Sequence, residues 1–550
     1  MPILFKRGVP GQADRPRARP WHPRRAALLL PVAPALGCVL LLTAAAPSAP
    51  GPADAAAAAP ALPTEADSVG EAADEAGAYV QERMAATGVP GAAYAVIGPD
   101  GVHHSGAFGE DGHGAPVTED TPFLWGSVAK PVTATLVLRL AEEGRLDLSD
   151  PVGAHLPWYG TDDDGQPTVR DLLRHTSGLP AGLHLTDRHD TDRRPPTVAR
   201  RSAALPPVAE PGGEHHYSSH NYLLLAAVVE AVTDEEFTTS LDHHVLAPLG
   251  MVDAVTTPAD ARDRLPPGHR YVLGQPVAMR TGFDPAGVGY GYLGGTLHDL
   301  TAYARSQLDS PHGDEADAPP PVSREERTLA HSPATATGDD RHYGLGWRNW
   351  PTTDIGVPGD GRVVWHGGAT PGYQAAVLLL PEKGQAVVLL QNAYGSFQES
   401  ALLETGFGLV ALAHGETPVH SGGEPVYGAL LVGLGFAVLV PAALLGATAR
   451  GVFRRSGPGR RDGASPGETP APRSGWRTVA VWAAWVGPAA ALAVTAGWVL
   501  PGLWGLRLHG VWLWAPDIAV ALWAVVVTCA LLIAARTATA VFSHPRRARR

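Results

Sequence analysis

One short segment carries a serine and a lysine at a spacing that could support nucleophilic catalysis. Ser127 and Lys130 lie in the sequence FLWGSVAKP at residues 123–131. If Ser127 opens a helix, Lys130 follows one turn later on the same face, and its amine can reach the serine hydroxyl. Pro131 favours this register, because proline is tolerated best in the first turn of a helix. A capped surface helix would show the same tetrad, so the pair alone does not establish an enzyme.

Further motifs follow this tetrad in an order that matches a known family. The stretch at 123–152 resembles the active-site helix of serine beta-lactamases and penicillin-binding proteins, class C branch. The resemblance covers residues 66–413 and implies an α+β fold and a serine hydrolase that works through an acyl-enzyme. The later motifs are LLRHTSGLP at 172–180, PGG at 211–213, YSSHNY at 217–222, PLGM at 248–251, YGLGW at 343–347 and HGGATPGY at 366–373.

The resemblance implies roles for three side chains and two backbone amides. Ser127 takes the place of the acylated nucleophile, and Lys130 takes the place of the amine that assists its proton loss. Tyr217 takes the place of the phenol that relays protons to the leaving group, a service worth about 10²- to 10⁴-fold in rate. The N–H groups of Ser127 and Ala369 take the place of the oxyanion hole. No cofactor and no metal ion is expected.

Two positions depart from the beta-lactamase pattern. Ser219 stands where the Y-x-N asparagine is expected, while Asn221 comes two places late and Tyr222 holds the register. A serine hydroxyl is shorter than an amide and cannot offer the amide's donor and acceptor together. The contact to a substrate amide and the positioning of Lys130 are therefore expected to differ from those of a beta-lactamase.

The second departure replaces the K-T-G motif with His366, Gly367 and Gly368. The family's lysine supplies a fixed charge for a substrate carboxylate, whereas histidine is mostly neutral near pH 7. Efficient beta-lactam hydrolysis is therefore disfavoured, and the replacement is similar to those in esterases and D-amino-acid peptidases of the family. An anionic substrate should bind better through His366 as the pH falls toward about 6.

Strand-like segments at both ends of the central region enclose a mostly helical middle. Such an order predicts an antiparallel sheet built from distant segments, with a helical subdomain inserted into it. The hydrolase-like region is assigned to residues 66–413. The strand-like runs are 92–97, 102–108, 362–365, 373–380 and 385–391, and the clearest helical runs are 66–87, 132–143, 222–232 and 396–413.

Charge and cysteine content exclude several classes of function. The 550 residues carry a net charge of −12, but residues 51–420 alone hold 22 basic and 49 acidic residues, a net charge of −27. So acidic a body repels phosphate backbones, and nucleic-acid binding is not expected. Cys38 and Cys529 are the two cysteines, so the centre has no disulfide and no thiolate zinc site. The His-His pairs at 103–104, 215–216 and 243–244 do not predict a metal site, because strand neighbours point to opposite faces.

Both ends of the chain indicate export and membrane attachment. Residues 1–50 place a basic segment that includes Arg15, Arg17, Arg19, Arg24 and Arg25 before an apolar run at 26–46, which is typical of a signal peptide or signal anchor, and an Ala/Pro linker follows at 51–65. Three apolar runs near the C-terminus are long enough to cross a bilayer. Arginines crowd the linker at 450–478 and the tail at 536–550, which predicts that both are cytoplasmic and that the hydrolase-like region is extracellular. The predicted spans are 426–449, 479–500 and 511–535.

These features together predict a multi-pass protein of the cell membrane with an extracellular serine hydrolase. Its partners would be membrane lipid and a small-molecule or peptide substrate carrying an ester or amide, with a cell-wall peptide as one candidate. The alternative is a catalytically weak module that binds or senses wall peptides and signals through the spans; Ser219 favours it, whereas Ser127, Lys130 and Tyr217 oppose it. A transport role for the spans has little support, because they carry almost no charge.

Overall fold

The computed structural model describes residues 65–160, 165–181, 185–188, 193–280, 282–309, 319–420, 425–456, 475–503 and 505–542. Four of the predicted segments lie wholly or partly outside these residues. They are the signal or anchor at 1–50, the linker at 51–64, the centre of the basic linker at 457–474 and the end of the tail at 543–550.

The helices fall into a set that surrounds the sheet and a set at the C-terminus. The first set is α1 (Glu65–Thr87), α2 (Ala129–Glu142), α3 (Val152–His155), α4 (Val169–Arg174), α5 (Pro195–Ala203), α6 (Ser219–Thr233), α7 (Phe237–Leu241), α8 (Pro258–Arg264), α9 (Leu297–Ser306), α10 (Arg324–His331) and α11 (Glu399–Ala413). The second set is α12 (Pro425–Ser456), α13 (Gly475–Val494), α14 (Leu500–Leu503), α15 (Leu508–Trp514) and α16 (Pro516–Phe542).

The strands form one large sheet and two small ones. The large sheet has eight strands in the order β2-β1-β12-β11-β10-β9-β8-β7, all antiparallel to their neighbours, and the small sheets are β13-β4-β5 and β3-β6. The strands are β1 (Gly91–Gly98), β2 (Gly101–Gly109), β3 (Phe123–Leu124), β4 (Gly268–Val272), β5 (Gln275–Met279), β6 (Gly294–Gly295), β7 (Thr335–Gly338), β8 (Arg341–Tyr343), β9 (Arg348–Pro351), β10 (Arg362–Thr370), β11 (Tyr373–Leu380), β12 (Gln385–Gln391) and β13 (Ala393–Tyr394).

The order of strands confirms the predicted α+β architecture. The hairpin β1-β2 comes from the start of the hydrolase-like region and pairs with β12 from its end, with Tyr94 opposite Leu389. In the sequence, helices α2 to α8 lie between the β1-β2 hairpin and strand β12. Distant segments therefore build one sheet around an inserted helical subdomain, as the pattern of apolar runs indicated.

Both faces of the central strands are buried, which explains their continuous apolar sequence. Along β1, Ala93 and Ala95 join the core that faces the inserted helices, while Tyr94 and Val96 join the core on the side of α1 and α11. Successive side chains of a strand point to opposite faces, and a strand covered on both faces needs apolar residues at every position. The sheet is thus the middle of three layers.

Three of the described helices are long and apolar enough to cross a membrane. Their candidate spans are Val426–Arg454, Trp482–Leu503 and Pro516–Val541. They overlap the three predicted spans and pack against one another around a small apolar core that includes Leu434, Ala519 and Leu522.

The third span begins at Pro516, five residues later than the predicted start at Val511. Residues 511–514 belong instead to the short helix α15, which ends at Trp514 because Ala515 leaves the helical conformation. This helix packs against the hydrolase-like region: the Arg270 guanidinium donates to the carbonyls of Trp512 and Leu513, at 3.1 and 3.2 Å. Apolar composition alone does not separate such a helix from the span that follows it.

Candidate active site

The backbone around Ser127 is pressed against strand β10. Ser127 lies in a single 3-10 turn, Gly126–Val128, that leads into α2. Gly126 has a φ of +56°, and a Cβ there would lie 2.1 Å from the backbone nitrogen of Ala369. A Cβ on Gly368 would lie 1.9 Å from the carbonyl oxygen of Trp125. Only glycine allows two backbones to approach this closely, so the two glycines hold Ser127 and Ala369 side by side.

Lys130 is buried beneath the serine. Its side chain has no exposed surface, and its amine donates to Ser127 Oγ at 2.9 Å, to Ser219 Oγ at 3.3 Å and to the Tyr290 carbonyl at 2.8 Å. Desolvation lowers the pKa of Lys130, and its interaction with Tyr217 partly opposes that shift. Burial disfavours the charged amine, so Lys130 is prepared to accept a proton from the serine.

Tyr217 lies over the amine of Lys130 and rests on a histidine. The Lys130 nitrogen is 5.0 Å from the centre of the Tyr217 ring. The centres of the His175 and Tyr217 rings are 4.4 Å apart. The Ser218 backbone N–H and the Asn221 side-chain amide both donate to His175 Nδ1, at 3.2 and 2.8 Å. The motifs at 172–180 and 217–222 thus meet at this histidine, and Asn221 supports the tyrosine from behind instead of entering the pocket.

A pocket with a volume of about 510 Å³ connects the predicted groups. Its walls include every predicted site residue except Lys130, which lies behind the serine, Gly368, which is packed against the Ser127 turn, and His366. The predicted residues that line it are Ser127, Tyr217, Ser219, Gly367 and Ala369.

His366 does not face the pocket, which changes the expectation about its charge. Its side chain has no exposed surface; Nδ1 donates to the Gly367 carbonyl at 2.7 Å, and Nε2 accepts from the Tyr343 hydroxyl at 3.1 Å. Burial, followed by the charges of Arg348 and Lys130, holds the pKa of His366 well below its usual value. His366 is therefore held away from the pocket and toward its neutral form, which contradicts the expectation that it binds anionic substrates better as the pH falls toward about 6.

The cation that does line the pocket is Arg348, which the sequence interpretation missed. It is the first residue of β9, and its guanidinium carbon lies 5.5 Å from the Tyr217 ring and 5.4 Å from the Trp365 ring. An arginine keeps its charge at any physiological pH. The signal was its position directly after the YGLGW motif, but only the pairing of β9 with β10 brings it to the pocket.

Asp187 is a second pocket residue that the sequence interpretation did not single out. It accepts hydrogen bonds from the hydroxyls of Thr186 and Tyr292, at 2.9 and 3.1 Å. Burial raises the pKa of its carboxyl group to about 6, although both hydroxyls oppose the shift. Near neutral pH the protein therefore holds a partly buried, poorly solvated carboxylate beside its site.

Replacing Asp187 with asparagine should stabilise the protein at pH 7.5. The folded-state pKa of Asp187 lies above the ordinary aspartate value of 3.8, so the folded protein binds this proton more tightly than the unfolded chain does. The associated stability is present below about pH 4 and is lost as the pH rises through about 6. We expect a gain on the order of 2 kcal/mol at pH 7.5, seen as a higher melting temperature in detergent.

The same measurement at pH 4 and on an exposed carboxylate provides the controls. The advantage of Asp187→Asn should shrink toward zero at pH 4, and Asp360→Asn, an exposed position, should show no pH-dependent gain. An equal gain at both pH values would contradict a buried charge at Asp187.

The histidines of the His-His pairs contact different neighbours. His103 pairs with Asp100 on the surface at 2.7 Å, and the His215 ring lies 5.7 Å from that of His175. Within the residues that the structure describes, no three His, Cys, Asp or Glu side chains are grouped to hold a metal ion.

Comparison with known proteins agrees with this geometry. A profile of the beta-lactamase family matches residues 76–406. Penicillin-binding protein 4 of Amycolatopsis lactamdurans is 32% identical over 319 residues, which cover 55% of this chain and 81% of that protein.

Two solved structures share the fold. SurE with D-Leu superposes with a TM-score of 0.51 at 26% identity, over 64% of this chain and 78% of the other. EstCE1, a hydrolase with promiscuous acyltransferase activity, superposes with a TM-score of 0.52 at 20% identity, over 62% of this chain and 100% of the other. The second likeness shows the fold alone. Since the family profile spans more than half of the chain, the protein belongs to the beta-lactamase family, in which it carries a site of the serine-hydrolase type.

Proposed function

We propose that this protein is a membrane-tethered extracytoplasmic serine hydrolase that cleaves esters or amides through an acyl-enzyme. The observation that supports it best is the buried amine of Lys130 at 2.9 Å from the Ser127 hydroxyl. A buried lysine beside a serine, with no acidic partner among its hydrogen bonds, is costly to keep. A catalytic role accounts for this buried lysine, because its amine can serve as the base that activates the serine.

In the acylation step, Ser127 Oγ attacks the carbonyl carbon of the substrate. The hydroxyl proton moves to the neutral amine of Lys130 as the new C–O bond forms. The carbonyl oxygen becomes an oxyanion and accepts hydrogen bonds from the N–H groups of Ser127 and Ala369, which the two glycines bring together. Each such donor contributes about 10²- to 10³-fold in rate.

Collapse of the tetrahedral intermediate completes the first half of the reaction. The bond to the leaving group breaks, and the alcohol or amine leaves with a proton passed from Lys130 through the hydroxyl of Tyr217, which lies above the lysine. Water then attacks the acyl ester of Ser127 with the same groups acting in reverse. The products are a carboxylic acid and the free serine.

The polar end of the pocket fits a substrate with a carboxylate near the scissile bond. Arg348 lines the pocket as a permanent cation, and it can take the part that the lysine of the K-T-G motif has in a beta-lactamase. Ser219 offers a single hydroxyl, which already accepts a hydrogen bond from Lys130 at 3.3 Å. We infer an esterase or D-amino-acid peptidase with weak beta-lactamase activity, in line with the SurE structure with D-Leu.

Two independent features support an extracellular position of the hydrolase domain. The arginine-rich segments at 450–478 and 536–550 favour the cytoplasm, which leaves the connection between the second and third spans outside. That connection contains α15, which contacts the hydrolase domain through Arg270. The hydrolase domain and α15 must therefore share one side of the membrane.

A parallel labelling experiment on intact cells tests the proposal. A membrane-impermeant fluorophosphonate should modify the wild-type protein at Ser127 within minutes, whereas a fluorescent penicillin should label it at least tenfold more slowly. Lysed cells provide the control for access and should give no more labelled protein than intact cells. A catalytically weak sensing module would remain unlabelled by the fluorophosphonate, and labelling only after lysis would contradict the extracellular position.

A further inference from the structure

The pocket of the hydrolase domain is completed by residues of the membrane segment. Beyond Ser127 and Arg348, its wall continues over an apolar surface that belongs to α15 and its neighbours. None of these residues is needed for the chemistry at the serine. The apolar residues from this segment are Leu506, Val511, Trp514 and Ala515, and Phe397 of the hydrolase domain lies beside them in the same wall.

The apolar wall is held to the hydrolase domain by specific contacts. The Trp514 ring meets the Tyr394 ring edge-on, with 5.6 Å between their centres. The carboxylate of Asp517, one turn later, accepts from the backbone N–H of Leu273 at 2.9 Å and from the hydroxyl of Tyr427. The wall is thus tied to the small sheet that contains β4 and to the start of the first span.

The same wall lies beside the residues at which two of the candidate spans begin. Ala515 lines the pocket, and the next residue, Pro516, begins the third candidate span. Phe397 lines the pocket from the other side, and its ring lies 5.2 Å from that of Tyr427, the second residue of the first candidate span. One end of the pocket is therefore polar and carries Ser127, while its apolar end adjoins the first residues of two candidate spans.

We propose that the substrate is an amphiphile drawn from the bilayer, whose apolar chain lies against Trp514, Val511 and Ala515 while its ester or amide reaches Ser127. This inference rests on the proposed hydrolase function. A water-soluble substrate would leave the apolar wall in contact with solvent, whereas an acyl or alkyl chain would cover it and gain about fourfold in binding for each buried methylene group.

Chain-length preference in the full-length protein tests the assignment. Protein in lipid nanodiscs is supplied with acetyl and octanoyl esters of one fluorogenic phenol, and kcat/KM is measured for each. We expect wild type to prefer the octanoyl ester by about 30-fold or more, given the value of each methylene group. Trp514→Ala removes the ring from the wall and should lower this ratio about tenfold. Ala515→Leu fills the same space and should lower it as well.

Trp512 provides a matched control on the same helix. Its side chain is 47% exposed and does not line the pocket, so Trp512→Ala should leave the octanoyl-to-acetyl ratio within twofold of wild type. A wild-type ratio near one, or the same ratio in all four proteins, would overturn the assignment of the wall. Fluorophosphonate labelling of Ser127 in each protein separates the two proposals: without labelling the hydrolase function fails, and with labelling but no chain-length preference this inference alone fails.

A dilution series identifies the source of the substrate. Adding lipid at a constant total concentration of octanoyl ester lowers its mole fraction in the bilayer. The rate should fall with that mole fraction, while the rate with the acetyl ester should not change. An octanoyl rate that ignores the mole fraction would show that the chain arrives from water and would overturn the bilayer route.

Discussion

Replacing Ser127 with alanine should abolish covalent labelling by a fluorophosphonate and reduce ester hydrolysis by about 10⁴-fold or more, because catalytic groups that act as a unit fail together. The fold should survive, since the side chain loses a single oxygen. Mass spectrometry of the labelled wild-type protein should place the adduct on Ser127. An unchanged melting temperature would show that the loss is chemical.

A second hydroxyl beside the lysine makes this test specific. Ser219 Oγ also accepts a hydrogen bond from Lys130, so among the described residues it is the serine best placed to replace Ser127 as nucleophile. Ser219→Ala should retain labelling at Ser127. Lys130→Met keeps most of the side-chain volume and removes the amine, and we expect it to slow acylation by about 10³-fold or more. Labelling of Ser219 in the Ser127→Ala protein would contradict the assignment of Ser127 as the nucleophile.

Replacing Gly368 with alanine should have the next largest effect. The added Cβ would meet the Trp125 carbonyl oxygen at 1.9 Å and the Ser127 nitrogen at 2.5 Å. Both contacts are with backbone, so β10 must move away from the serine turn and separate the two oxyanion donors. Loss of one donor costs about 10²- to 10³-fold in kcat, and we expect at least that loss in hydrolysis of a simple ester.

A glycine just before the same strand supplies the matched control. A Cβ on Gly361 would meet only the side chain of Thr352, at 3.3 Å, so Gly361→Ala should keep activity within about threefold of wild type. Hydrolysis by Gly368→Ala at the wild-type rate would mean that the contact between β10 and the serine turn does not form the oxyanion hole.

Local patterns carried most of what could be predicted. The spacing of Ser127 and Lys130 depends on one helical turn, and the structure places their side chains 2.9 Å apart. The β1-β2 hairpin follows from the turn sequence GPDG at 98–101, which separates the strand-like runs 92–97 and 102–108. Tyr217 and Ala369 were assigned to the site from the order of motifs that the chain shares with the family, because no local rule connects residues so far apart in sequence.

Features that depend on distant pairing could not be predicted. Arg348 reaches the pocket because β9 pairs with β10. The side chain of His366 is held away from the pocket because its Nε2 accepts a hydrogen bond from the hydroxyl of Tyr343 in β8. Residues 511–515 are as apolar as the span that follows them, so hydropathy assigned them to the bilayer. Their contact with the hydrolase domain separates them from the span, and contacts over such distances leave no trace in a local window.

The place of α15 in the chain imposes an order on the maturation of the enzyme. Synthesis proceeds from the N-terminus, so the serine, the lysine and the whole large sheet are made before Leu508–Trp514. In the topology proposed above, the pocket gains its last wall only after the second span has inserted and the third has begun to insert. Until then the hydrolase domain has its catalytic groups assembled and one side of its pocket open. Completion of the enzyme is thereby coupled to correct insertion of its own anchor.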